Sequence, residues 1–165
     1  MIAVLLFACN RETVKRNLDQ LLQYRSSNKT FPIVVSQDCG HLQTRKVIES
    51  YGDKIHFIQQ PDQSDIILTG KQNKKFKGYY KISRHYGWAL NHTFNVLNYD
   101  TVIIVEDDLD ISPDFFEYFL ALYPILKRDP TIYCVSAWND NGKDHLVDNN
   151  DPGKDLFFFY FVSFF

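Results

Sequence analysis

From Ile2 to Ala8 every position is apolar, and strongly polar residues return only at Asn10 and Arg11. A strand with one wet face alternates, so this unbroken run predicts a strand buried on both faces. Asn10 stands where it can cap the helix that follows. Val14, Leu18, Leu21 and Leu22 recur there at helical spacing, and the pattern ends near Tyr24 and Arg25. Phe31 to Ser36 predicts a second strand, closed by Gln37-Asp38-Cys39-Gly40. Val47, Ile48 and Tyr51 mark a second helix with Gly52 as its stop signal.

A short third strand at Lys54 to Gln59 precedes Pro61, which opens a polar loop lasting to about Phe76. Loops this long in compact domains are usually functional or mobile. Ile82, Tyr86, Ala89, Leu90, Phe94 and Leu97 then line one face of a third helix. It leads into Thr101-Val102-Ile103-Ile104-Val105, a β-branched run that reads as the central strand. Ser112 and Pro113 are suited to the N-cap and first position of a further helix, whose buried face carries Phe115, Phe116, Phe119, Leu122, Tyr123 and Leu126. Thr131 to Ala137 predicts a last strand. Alternating strands and amphipathic helices point to an α/β fold with a mainly parallel sheet flanked by helices, in which ligands bind beyond the carboxyl ends of the strands.

That geometry directs attention to Glu106-Asp107-Asp108, three consecutive acids directly after a buried-looking strand. Their mutual repulsion has to be offset, most simply by a divalent cation; Mg²⁺ and Mn²⁺ take one or two carboxylates and fill their other positions with phosphates and water. The competing reading is a set of solvated acids favouring the next helix N-terminus. Arg11 and Asp38 also follow predicted strands, so they should gather on the same edge. Arg11 can fork onto a phosphate and Asp38 can accept from a base or ribose, or the two can pair with each other at the surface. His85, offset from the apolar face of its helix, reads on its own as a satisfied structural histidine. Asp110 and Asp114 read as solvated or helix-end acids.

Composition narrows the classes. At 165 residues, 45% hydrophobic and 23% charged, the chain can build one domain with a real core. A net charge of -2, with Lys71 to Lys77 the one basic cluster, gives no case for nucleic acid. The apolar opening lacks a basic leader region and has about half of the ~20 residues a membrane span needs, so the chain is expected to begin inside a folded domain with no membrane segment. Phosphate-loop, dinucleotide, nucleophile-elbow and zinc-protease motifs are all absent. Cys9, Cys39 and Cys134 are too few and too widely spaced for a disulfide-dense scaffold or zinc site. Buried free thiols, or a Cys9–Cys39 bridge between neighbouring strand ends, remain open on the residues alone. Asn28-Lys29-Thr30 and Asn91-His92-Thr93 match the glycosylation acceptor pattern, the second inside a predicted helix.

Longer motifs are more specific. Phe31 to His41, Gly78-Tyr79-Tyr80-Lys81-Ile82, Arg84-His85-Tyr86, Val105 to Leu109, Pro113 to Phe119 and Cys134 to Lys143 together resemble the N-acetylglucosaminyltransferase I family, over about Ala3 to Val147. The resemblance implies a GT-A-like, Rossmann-like nucleotide-sugar-binding half over 1–148. It implies inverting transfer of GlcNAc from UDP-GlcNAc to the α-1,3-mannose of a high-mannose N-glycan in the Golgi, with Mn²⁺. Matched by position, Arg11, Asp38, His85, Glu106 and Asp107 fall where the family binds the nucleotide sugar, and Asp108 falls on its manganese ligand. It favours a Cys9–Cys39 disulfide and gives Cys134 a partner in a region beyond this sequence.

The family's base, an aspartate, corresponds to a position beyond residue 165, so neither Asp140 nor Asp144 takes that role. The resemblance breaks near Asn149, and 149–165 forms a divergent aromatic tail ending Leu156-Phe157-Phe158-Phe159-Tyr160-Phe161-Val162-Ser163-Phe164-Phe165. The tail is too short to span a bilayer and would favour aggregation if exposed. It suits a buried strand, a weak interface or, best of the three, translation past a missed splice junction. The expectation is therefore a donor half with little transfer activity on its own; the alternatives are a non-catalytic nucleotide-sugar-binding or interaction module, or an inert fragment.

Overall fold

The apolar opening forms β1 (Ala3–Ala8), every residue of which is buried. The computed structural model describes residues 1–70 and 74–137, which divide into a unit at Met1–Ser112 and another beginning at Pro113. In the first unit β1 is joined by β2 (Ile33–Gln37), β3 (His56–Gln59) and β4 (Val102–Glu106) in a four-stranded sheet of order β3-β2-β1-β4. Each pairing is parallel, as expected. The register sets Phe7 opposite both Ser36 and Glu106, so β1, β2 and β4 reach their carboxyl ends at one level.

The connections explain the layers. Helices α1 (Val14–Tyr24) and α2 (Leu42–Glu49) carry the chain stepwise from β1 to β2 to β3, and α3 (Lys77–Asn91) returns it past β1 to β4. Parallel crossovers are right-handed, so reversing the direction of travel moves the helix to the other face. On the α3 face Leu5, Phe7, Val34 and Ile58 pack with Ala89, joined by Tyr86, Trp88, Leu90, Leu97, Tyr99 and Val102. Residues of the opposite parity, Val4, Leu6 and Val35, are fully buried, as are Val14, Leu18, Leu21 and Ile48 from α1 and α2. The strand order reverses at β1, and the crevice beside such a reversal is where open α/β sheets bind ligands.

Several details depart from the sequence reading. Asn10 does not cap α1, which begins after Thr13. Strand β4 lies at an edge of the sheet among the described residues, and its burial alternates: Ile103 and Val105 are 5% and 1% exposed, Ile104 39%. Its β-branched run reflects strand preference more than two-sided burial. The third helix divides into α3 and a π-helical turn, His92–Val96, where the Thr93 hydroxyl donates back to the Ala89 carbonyl at 2.7 Å.

In the second unit α4 spans Phe115–Arg128, starting two residues after Pro113. The expected face is the more sheltered one, but only Phe116 on it is buried, the others being half-buried. Phe115 meets Phe116 and Phe119 edge-to-face at 5.1 and 5.0 Å. Thr131 to Ala137 is not a strand: it runs as irregular chain, with the Tyr118 hydroxyl donating to the Ser136 carbonyl at 2.7 Å. Favourable strand residues need a ladder partner before they adopt strand structure. The expected boundary at 148/149, the aromatic tail, Asp140 and Asp144 lie outside the described residues.

Candidate functional site

Four loops leave the carboxyl edge of this parallel sheet, and a disulfide joins those after β1 and β2. Cys9 and Cys39 are bonded, with Cα atoms 5.5 Å apart, so the bridge that the residues left open is present. Cys39 and Gly40 both adopt left-handed torsions, φ +54° and +58°, which turn the chain sharply after Asp38. Cys134 is a free thiol in the second unit.

The acidic triplet is splayed. The Glu106 carboxylate accepts from the Tyr86 hydroxyl at 2.8 Å, and the Tyr86 ring stacks on Phe7 with centroids 3.8 Å apart. Asp107 turns inward, where its Oδ2 accepts from the Cys9 amide at 3.2 Å. Asp108 turns outward and pairs with the Arg11 guanidinium, which also lies 3.7 Å from Asp107. Each acid thus has its own partner, and the mutual repulsion is relieved by separation as well as by Arg11. Burial pushes the Asp107 carboxyl above its ordinary range, opposed by the Cys9 amide and Arg11. The hydrogen bond and charge of Asp108 in turn raise Arg11.

A second cluster forms at the end of β2. His85, 5% exposed, meets the Ser36 hydroxyl at 2.8 Å through Nε2, and its ring abuts Phe7 edge-on at 5.0 Å. Burial lowers its pKa to about 4 while the nearby Asp38 charge acts in the opposite sense, so the imidazole is neutral at physiological pH. Asp38, also buried, accepts from the Gln63 amide at 3.1 Å. Arg11 and Asp38 therefore do not pair with each other; Arg11 belongs with Asp107 and Asp108, Asp38 with Gln63 and His85. The polar loop after β3 is held against α3, since Arg84 binds Asp62 at 3.0 Å and Lys81 binds Asp65 at 3.1 Å.

Sequence reasoning overlooked the residues that hold this arrangement. Asn17 on α1 donates to the carbonyls of Glu106 and Leu109, and Gln20 accepts from the Ile111 amide at 3.0 Å. A polar residue on the stripe of Val14, Leu18 and Leu21 was the available signal. Tyr86 looked like one more core aromatic, and its hydroxyl gave no sign of reaching Glu106.

Among the described residues no three acidic, histidine or cysteine side chains converge as a metal cage. The donor set still suits a hard cation held mainly by substrate phosphates: Asp108 offers oxygen ligands on a side chain 43% exposed, provided that Arg11 moves aside. No described helix is long and apolar enough to cross a membrane.

Comparison with known proteins bears on the fold and the family. The solved structure of S. aureus TarS 1-349 in complex with UDP-GlcNAc superposes with a TM-score of 0.53 at 18% identity, covering 77% of this chain and 32% of that one. A second TarS structure gives 0.54 over 77% of this chain and 20% of the other. These likenesses establish a GT-A-like fold. An Arabidopsis thaliana alpha-1,3-mannosyl-glycoprotein 2-beta-N-acetylglucosaminyltransferase is 36% identical over 152 residues, 91% of this chain but 33% of the relative, so the chain spans about a third of that protein's length. The profile described as GNT-I family matches residues 1–165, and with that relative it shows that the chain belongs to the GNT-I family.

Proposed function

We propose that the chain is the nucleotide-sugar-binding part of an inverting N-acetylglucosaminyltransferase, taking UDP-GlcNAc as donor and the α-1,3-mannose of a high-mannose N-glycan as acceptor. The observation that carries this reading is the convergence of Arg11, Asp38, His85 and the 106–108 acids, from four separate segments, on the carboxyl edge where the strand order reverses. Family membership, and the name of the Arabidopsis relative, support the choice of reaction.

The chemistry of the side chains suggests a division of labour. Asp38 and the neutral His85 offer an acceptor and a hydrogen-bonding ring for the nucleoside, at the end of β2. Arg11 is suited to the diphosphate. Glu106 and Asp107 present carboxylates for sugar hydroxyls, and Asp108 would hold Mn²⁺. When bound, that ion supplies Lewis-acid stabilisation of the departing diphosphate. The Phe7–Tyr86 stack backs Glu106 against displacement. The Cys9–Cys39 bridge suits an oxidising compartment and supports placement in the Golgi lumen.

Titration calorimetry of the chain with UDP-GlcNAc, with and without Mn²⁺, tests the reading. Saturable binding that strengthens with Mn²⁺, and loses that strengthening in Asp108→Asn, is expected. A folded, disulfide-bonded chain that binds no UDP-GlcNAc under either condition overturns it.

A further inference from the structure

We propose that Asn28 is an acceptor for an N-linked glycan, a modification site on the edge of the sheet opposite the candidate donor site; the proposal rests on the secretory placement given above. Asn28-Lys29-Thr30 lies between the end of α1 at Tyr24 and the start of β2 at Ile33. The segment is a tight turn: the Phe31 amide donates to the Ser27 carbonyl at 3.0 Å, and the Lys29 amide to the Ser27 hydroxyl at 3.1 Å. Asn28 and Lys29 are exposed. An Asn-x-Thr triplet on an exposed turn is the form in which an acceptor asparagine is reached and its glycan kept in solvent.

The other acceptor triplet provides a contrast inside the same chain. Asn91 is the last residue of α3, and its side-chain oxygen accepts from Asn95 at 2.8 Å. Thr93 is fully buried, with its hydroxyl committed to the Ala89 carbonyl. A transferase that must engage the threonine hydroxyl finds it available only before this helix forms. The two sites therefore differ in presentation despite matching the same pattern.

Position favours Asn28 as well. It precedes β2, whereas Asp38 follows it, so about 17 Å of strand separates the glycan from the donor edge at ~3.3 Å per residue. A bulky, hydrated chain there leaves the carboxyl edge open. The co-reactant is an oligosaccharide linked through pyrophosphate to a polyprenyl lipid. The Asn28 amide nitrogen bonds to the anomeric carbon, the bond from that carbon to the pyrophosphate oxygen breaks, and the amide proton leaves to the transferase's base.

The test is a peptide map of the full chain immunopurified from cells that express it, before and after peptide-N-glycosidase F, which leaves aspartate where a glycan was attached. We expect that mark at position 28 and not at 91. Asn28→Gln and Thr30→Ala should each abolish the glycan mass, and Thr30→Ser, which keeps the hydroxyl, should retain it. A chain with the Cys9–Cys39 bridge intact and an unmodified Asn28 overturns the proposal, as does modification at Asn91 alone. Calorimetry on the same material separates the two readings: a glycan without UDP-GlcNAc binding sinks the donor-site assignment, and binding without a glycan sinks this one.

Discussion

The side-chain amide of Asn17 donates to the main-chain carbonyl of Glu106 at 3.2 Å, across 89 residues of sequence. Its other hydrogen goes to the carbonyl of Leu109 at 3.1 Å, so one buried side chain on α1 grips both ends of the turn that carries Asp107 and Asp108. Arg16 extends the grip through Asp110 at 3.0 Å.

Asn17→Ala should therefore cost about 2–3 kcal/mol, because two carbonyls lose donors in a dry environment. Asn17→Asp should be worse at neutral pH, since it sets a carboxylate against those carbonyl oxygens. Urea unfolding midpoints measure both; wild-type midpoints would show that the turn is held by something else.

His85 makes stability depend on pH. An unfolded histidine titrates near 6.5 and the folded one near 4, so folding keeps the ring neutral. Protonation favours the unfolded chain. The stability from a neutral His85 is complete above pH 6.5 and is lost as the pH falls from there towards about 4, in total roughly 3 kcal/mol. His85→Gln retains a group that can bond Ser36 but cannot titrate. Its stability should fall less steeply than that of the wild type over this window, and parallel curves would refute the assignment.

Much of this was legible in the chain. The run Ile2–Ala8 and the helical spacing of Val14, Leu18 and Leu21 specify elements because burial on a fixed face leaves few alternatives. The triplet and Arg11 were placed correctly at strand ends, since parallel sheets deliver those positions to one edge. What escaped notice depends on long-range contacts. Nothing local tells that β4 lies at an edge of the described sheet, that Thr131–Ala137 finds no ladder among the described residues, or that three adjacent acids reach Tyr86, Cys9 and Arg11 in turn. His85 read alone is ambiguous, because its role depends on Ser36 and Phe7, which the fold alone brings to it.

The Cys9–Cys39 bridge should contribute about 3–4 kcal/mol by closing a loop of 30 residues in the unfolded chain. Replacing both cysteines removes that contribution whatever the new residues are, but Cys39 also sits at φ +54°. Glycine tolerates that torsion and alanine does not. The pair Cys9→Ala with Cys39→Gly should therefore be more stable than Cys9→Ala with Cys39→Ala by about 1 kcal/mol. Thermal unfolding of the two double variants decides it, and equal midpoints would mean that the turn relaxes once the bridge is gone.

Arg11 gives a prediction of opposite signs for two ligands. Its guanidinium pairs with Asp108, the carboxylate proposed to hold Mn²⁺, and so competes with a free cation for the same oxygens. The same guanidinium is proposed to receive the donor diphosphate. Arg11→Gln should bind Mn²⁺ alone about two- to fivefold more tightly, the scale expected of one exposed charge, yet bind UDP-GlcNAc with Mn²⁺ more weakly. Electron paramagnetic resonance of free Mn²⁺ reads the first affinity and calorimetry the second. If both weaken, Arg11 supports the metal site instead of competing with it; if neither changes, the Arg11–Asp108 pair is a surface contact with no part in donor binding.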